Sequence, residues 1–256
     1  MSDKNQTSTA AARKEPARVQ FKVDGKEMEG VRGEPLLPLL LKEGYDIPTL
    51  CHHEAVSPYG ACRLCLVEVK KGRKTKVTTS CNYPVLPGIE VTTASERIQK
   101  HRKMIFELLL ARVPNSPKLN RMAAKYGVTE TRLIDQGDDC ILCGLCERVC
   151  REVVGVDALG FHGRGYQKDM AAPFKEPSKT CIGCGACVYV CPVDCIGEEM
   201  LPTQRTIERW ERKLPMQTCS KCGYPFAPTY QLLQFQKRTG LPWSFFTVCP
   251  DCREVK

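Results

Sequence analysis

Cysteine stands at 140, 143, 146 and 150 and again at 181, 184, 187 and 191, so one C-x2-C-x2-C-x3-C spacing occurs twice, offset by 41 residues. Nothing else in the 256 residues restricts the fold as tightly. Three thiolates two residues apart wrap a loop around one cubane, and the fourth, on the helix that follows, reaches the neighbouring cluster. That crossing predicts one [4Fe-4S] cluster on Cys140, Cys143, Cys146 and Cys191 and a second on Cys150, Cys181, Cys184 and Cys187. Gly144, Gly183 and Gly185 supply backbone that can bring amides close to cluster sulfurs. Zinc knuckles or disulfides are the competing reading, and a duplicated four-cysteine spacing argues against both. Pro192 follows the second set, whereas Arg151 occupies the corresponding place in the first.

The other cysteines form two further sets. Cys51-x10-Cys62-x2-Cys65-x15-Cys81, with one close pair beside Gly60-Ala61, suits a [2Fe-2S] rhomb, and spacing alone leaves zinc as the alternative. His52 and His53 adjoin Cys51 and are read as lying around that site or on the surface, since four cysteines already complete it. Cys219-x2-Cys222 and Cys249-x2-Cys252 sit in two knuckle-like turns of zinc-ribbon type, able to hold zinc or a single iron. Such a ribbon either staples a module too small to hold itself together or binds a partner. Only Cys195 of the 17 cysteines is left over, and it is expected to pack as a small buried thiol.

Around these sets the chain divides into short units. Residues 1–17 are polar and read as a flexible tail. Residues 18–95 alternate apolar and polar positions about an Asp24-Gly25 turn, continue through a short helix at Glu34–Tyr45 with Pro38 confined to its first turn, and end in three more strands. Residues 96–136 form a helical connector whose first helix, ERIQKHRKMIFELLLAR, places Ile98, Ile105, Leu108 and Leu109 on one face. Residues 137–200 hold the repeat, 201–215 read as a charged helical linker carrying Trp210, and 216–256 form the last module. The fold class is therefore α+β.

The formal net charge of +9 invites a nucleic-acid reading, but it treats every cysteine as neutral. Four metal sites with their thiolates would each carry about −2, so most of the lysine and arginine excess offsets cluster charge. A basic docking surface is the rival reading of that excess, and nucleic acid is not expected as a partner. No apolar run approaches the roughly 18 residues needed to cross a bilayer, and the first 18 residues lack the apolar core of a secretory signal. A cytoplasmic chain is expected. There is no dinucleotide or P-loop fingerprint and no nucleophile–base set, so the chain reads as a conductor of electrons without catalytic residues.

The segments IPTLCHHEAVSPYGACRLCLVEV, FELLLAR, CILCGLCERVCREVVGVDALGFHGRG and CIGCGACVYVCPVDCI resemble an iron-sulfur region shared by several oxidoreductases. These are the large iron-sulfur subunit of respiratory complex I, the diaphorase-side subunit of NAD-linked nickel-iron hydrogenases, iron-only hydrogenases and some NAD-linked formate dehydrogenases. The resemblance covers about residues 19–197 and implies a β-grasp [2Fe-2S] ferredoxin domain followed by a bacterial-type 2[4Fe-4S] ferredoxin domain. It also implies a subunit relaying single electrons between a flavin/NAD(P)-binding subunit, or ferredoxin, and a catalytic subunit of hydrogenase, formate dehydrogenase or aldehyde oxidoreductase type, in an arrangement open to electron bifurcation. The tail TCSKCGYPFAPTYQ to VCPDCR is similar to the four-cysteine extension of ferredoxin-type subunits in formate-hydrogenlyase-like complexes. One departure is large. The family's His-x3-Cys-x2-Cys-x5-Cys cluster site should follow the long helix, yet ARVPNSPKLNRMAAKYGV contains neither Cys nor His. Either that segment folds so that the two cluster domains touch, or a partner bridges them. A redox sensor or scaffold with structural metal sites is the rival function.

Overall fold

A computed structural model describes residues 17–133 and 137–253. Apart from residue 17, the expected N-terminal tail lies outside the described residues. The first unit is a five-stranded mixed sheet in the order β2-β1-β5-β3-β4, built from β1 (Arg18–Val23), β2 (Lys26–Val31), β3 (Leu66–Lys71), β4 (Lys74–Thr79) and β5 (Glu90–Thr92). Asp24 and Gly25 both take positive φ, 47° and 83°, as a tight two-residue hairpin requires. The same Asp24 carboxylate accepts from the Thr93 amide (2.9 Å) and hydroxyl (2.6 Å), tying the turn to the end of β5. β1 and β5 run parallel, with Val23 beside Val91, while Val69 of β3 faces Val91 antiparallel. Helix α1 (Leu36–Lys42) starts after Pro35 and carries Pro38 in its first turn, where no intrahelical donor is lost. It buries Leu36, Leu37 and Leu40 against Phe21, Val67 and Val91 of the sheet.

Helix α2 (Glu96–Arg112) begins at Ser95, whose hydroxyl accepts the Ile98 amide. Its buried stripe differs from the expected one. Ile98, Arg102, Phe106 and Leu110 lie inside at four-residue spacing, whereas Leu108 is 54% exposed and Ile105 and Leu109 are only partly buried. The difference is Arg102, which is 1% exposed yet inside because its guanidinium donates to the Leu66 carbonyl at 2.8 Å and lies over the Tyr126 ring. α3 (Pro117–Lys125), capped by the Ser116 hydroxyl, returns along α2 and buries Leu119 and Ala123.

The repeat follows. α4 (Leu145–Arg148) continues as a π-helical turn over Val149–Val154, and a small hairpin of β6 (Gly160–His162) and β7 (Asp169–Ala171) separates it from α5 (Ala186–Tyr189). Gly144 and Gly185 hold left-handed conformations before α4 and α5, and Leu142 (φ 55°) matches Gly183 (φ 68°) one turn earlier. The two halves thus share one loop path although only one half has glycine at the earlier position.

Residues 201–215 are not a helical linker. They contribute β9 (Gln204–Ile207), a single 3-10 turn at Glu208–Trp210 and the start of β10 (Arg212–Thr218). With β8 (Glu198–Met200) and β11 (Pro225–Pro228) these form an antiparallel sheet ordered β11-β10-β9-β8. The charged residues suit a helix locally, but Leu214 and Met216 alternate with exposed Lys213 and Pro215, and pairing with β8 supplies the partner that a local reading lacks. The sheet therefore spans the expected boundary at 200, and β10 itself runs across the one at 215. α6 (Thr229–Thr239) and α7 (Trp243–Phe246) complete the last module between its two cysteine pairs.

Candidate iron-sulfur and metal sites

Two separate cavities open within the repeat. One is lined by Cys140, Cys143, Cys146 and Cys191 together with Cys195, Met170 and Ile196. The other is lined by Cys150, Cys181, Cys184 and Cys187 together with Leu159, Ile207 and Ala186. Each cavity thus takes one thiol from the opposite half of the repeat. Their walls are almost wholly apolar, and the polar atoms that reach the sulfurs are N–H donors. The Leu142 amide approaches Cys140 Sγ at 3.4 Å, the Ala158 amide approaches Cys150 Sγ at 3.3 Å, and the Trp210 indole approaches Cys187 Sγ at 3.4 Å. Four inward thiols, a dry lining and N–H groups aimed at sulfur fit a thiolate-held iron-sulfur cluster. Burial pushes the Cys187 and Cys143 thiols up to about 12, a cost that bound iron relieves because coordination deprotonates a thiol outright.

Cys195, expected as a small buried thiol, is partly exposed and lines the first cavity. Its Sγ lies 3.5 Å from Cys191 Sγ inside the first cavity, which therefore holds five thiols, and the contact pulls the Cys191 thiol down to about 6. The first-cavity cysteines Cys140, Cys143, Cys146 and Cys191 are buried, whereas Cys150, Cys181, Cys184 and Cys187 are each partly exposed.

Cys51, Cys62, Cys65 and Cys81 are all buried at one end of the five-stranded sheet. The Cys62 amide points at Cys51 Sγ (3.4 Å), and the Ser80 hydroxyl and amide both donate to the Cys65 carbonyl. Gly60 is required here: its φ is 75°, and a Cβ would sit 2.5 Å from Asn82 Nδ2. His53 Nδ1 accepts the Ala55 amide in a local turn, while His52 Nδ1 is buried without a partner and burial lowers its pKa.

The loop that carries Cys51 docks directly on the repeat. Arg148, 3% exposed, donates from Nη1 to the Ser57 carbonyl (2.5 Å) and from Nη2 to the carbonyls of Cys51 (2.8 Å) and Cys143 (3.4 Å). Glu152 accepts from the Ser57 amide and hydroxyl, both at 2.7 Å. Tyr59 stacks on Phe161, and Leu50, Val56 and Leu64 share one apolar core with Phe106, Leu110, Leu119 and Leu145. The cysteine-free segment after α2 is part of that core through Leu119 and Ala123, so the domains touch where the family's additional cluster site is missing. Arg148 and Glu152 are absent from the residues the sequence singles out, and Trp210 is there only as part of a charged linker. The position of Arg148 between two cysteines of the repeat is the only local signal any of them offers.

Cys219, Cys222, Cys249 and Cys252 place their sulfurs within 4.8 Å of one another. Among the described residues no other group of three or more His, Cys, Asp or Glu draws together this closely. Zn–S bonds of about 2.3 Å in a tetrahedron put sulfurs about 3.8 Å apart, and Cys222 Sγ and Cys249 Sγ are 3.8 Å apart. Amides of Cys249 (3.3 Å) and Lys221 (3.4 Å) donate to Cys219 Sγ and hold that thiol down to about 6. Four thiols would close the coordination sphere around a single ion, zinc or iron.

No helix among the described residues is long and apolar enough to cross a membrane. Residues 16–96 match the 2Fe-2S iron-sulfur cluster binding domain and residues 133–198 match the 4Fe-4S dicluster domain. The chain is 30% identical to the NADPH-Fe(3+) oxidoreductase subunit alpha of Geobacter sulfurreducens over 91% of its own length and 26% of that protein. It is 29% identical to the mitochondrial NADH-ubiquinone oxidoreductase 78 kDa subunit of Neurospora crassa, over 80% of this chain and 30% of the relative. It thus spans between a quarter and a third of the length of these relatives. A solved NAD+-reducing [NiFe]-hydrogenase aligns at 28% identity with a TM-score of 0.55, covering 60% of this chain and 74% of that one. Residues 16–96 and 133–198 thus hold a 2Fe-2S iron-sulfur cluster binding domain and a 4Fe-4S dicluster domain, and the chain's homologues include the 78 kDa and G subunits of NADH-ubiquinone and NADH-quinone oxidoreductases.

Proposed function

We propose that this chain is the iron-sulfur electron-transfer subunit of a multi-subunit cytoplasmic oxidoreductase, relaying single electrons between a flavin/NAD(P)-binding subunit and a catalytic subunit of hydrogenase or formate dehydrogenase type. Cys51, Cys62, Cys65 and Cys81 would hold a [2Fe-2S] cluster. Cys140, Cys143, Cys146 and Cys191 would hold one [4Fe-4S] cluster, and Cys150, Cys181, Cys184 and Cys187 the other. Cys219, Cys222, Cys249 and Cys252 would hold zinc. When bound, the clusters supply one-electron carriers of low potential.

The observation that carries this reading is the juxtaposition of three thiol sets in one apolar interior. A single guanidinium joins the backbone of Cys51 to that of Cys143, and Trp210 walls both repeat cavities. The chain's own residues keep water from the buried sulfurs, aim N–H groups at them and fix the spacing between sites. The partly exposed Cys150, Cys181, Cys184 and Cys187 form the end nearest the surface, which suits contact with a redox partner.

The test uses the complex co-purified anaerobically through a tag on this chain. A relay predicts that NAD(P)H, hydrogen or formate, whichever the complex oxidises, reduces the clusters at the turnover rate, followed by freeze-quench EPR. Cluster signals that stay unchanged through many turnovers would refute the relay and favour a sensor or scaffold.

A further inference from the structure

The turn between β9 and β10 lies outside the repeat and beyond the matched dicluster segment, yet it reaches a sulfur of a repeat cavity. Trp210 is 4% exposed and walls both cavities, with its indole N–H 3.4 Å from Cys187 Sγ. The strands that carry it grip the same loop on either side. Arg205 of β9 donates to the Gly183 carbonyl (3.0 Å), and Arg212 of β10 donates to the Cys181 carbonyl (3.3 Å). Leu214 packs so tightly on Gly183 that a Cβ there would overlap it. Arg209, next to Trp210, is held by Asp139 (2.5 Å) and Asp169 (3.1 Å), which anchors the turn on the first half of the repeat as well.

An N–H group directed at a ligand sulfur stabilises the reduced, more negative cluster more than the oxidised one, and so raises the reduction potential. Cys140 and Cys150 also receive N–H groups, but from backbone amides of the repeat itself. The indole is a side-chain donor supplied by a different sheet. We propose that Trp210 is a potential-setting residue for the cluster site of Cys150, Cys181, Cys184 and Cys187, and that the C-terminal sheet is a working wall of that site. The inference rests on the electron-transfer reading above and adds which residue separates the two [4Fe-4S] sites in potential.

The experiment is an EPR-monitored redox titration of the full chain and its Trp210→Phe variant, with iron content measured on both. The signal of the second site is identified by its loss in Cys184→Ser. The expected result is full iron content with the second-site midpoint moved negative, by about tenfold in the reduced-to-oxidised ratio or about 59 mV for one electron, and the first-site midpoint unchanged. An unmoved second-site midpoint at full iron content overturns the proposal. If the variant loses iron, the wild type labelled with 15N-indole tryptophan decides: a 15N hyperfine coupling to the reduced second site supports the assignment, and its absence overturns it. The other tryptophan, Trp243, lines neither cavity. Failure of the underlying reading looks different, because then wild-type protein shows no [4Fe-4S] signals at all.

Discussion

Replacing Arg148 by leucine removes the side chain that joins the Cys51 loop to the repeat while keeping most of its apolar stem. Two short bonds are lost, to Ser57 O (2.5 Å) and Cys51 O (2.8 Å), and one long one to Cys143 O (3.4 Å). Hydrogen bonds from a charged donor are worth about 1.5–3 kcal/mol each. Part of that returns when water reaches the vacated carbonyls, which leaves a net cost of roughly 3 kcal/mol. At about 1.4 kcal/mol per tenfold, opening of the interface becomes about 100-fold more frequent. Ser57–Glu152 and Tyr59–Phe161 still hold the domains in register, so the chain stays folded. Native-state hydrogen exchange should report the opening as faster exchange in residues 51–60 and 140–146. EPR should report it as weaker relaxation enhancement of the [2Fe-2S] signal by its neighbour. If both readouts match the wild type at equal iron content, Arg148 is not what couples the two sites.

Three further outcomes follow from the site geometry. Cys62→Ser should remove the [2Fe-2S] EPR signal and leave both [4Fe-4S] signals, and loss of the cubane signals with it would contradict the ligand assignment. In the five-thiol cavity, Cys191→Ser should remove the first-site signal whereas Cys195→Ser should keep it; the reverse pattern would make Cys195 the ligand. Cys249→Ser should abolish zinc binding, and because structural zinc contributes about 10–16 kcal/mol in small modules, amide protection in β11 and α6 should be lost, with unchanged protection counting against a metal-stapled module.

Local chemistry made much of the fold readable. Asp24-Gly25 can only turn, Ser95 followed by a long 3.6-period run starts α2 where expected, and the duplicated cysteine spacing implied two cavities that exchange their fourth thiols. The misreadings arise where a distant partner decides. Residues 201–215 have helix-favouring charges, but β8 and β11 offer ladder partners and the Cys181–Gly185 loop offers a carbonyl to Arg205 and a glycine on which Leu214 packs, so strands form. Arg102 is not on the apolar face predicted for α2, yet it is buried with its guanidinium donating to the Leu66 carbonyl, 36 residues away. Arg148 and Trp210 carry no motif. Their placement depends on contacts 97 and 23 residues away in sequence, which spacing within the chain does not reveal.

The most direct test of the account is the metal content of anaerobically purified full chain, joined to EPR of the dithionite-reduced sample. Three clusters and one closed tetrathiolate site predict about ten iron, about ten sulfide and about one zinc per chain, with a [2Fe-2S] signal and two interacting [4Fe-4S] signals. About four zinc with little iron would mean that the cysteine sets are structural, and the electron-transfer account would be wrong.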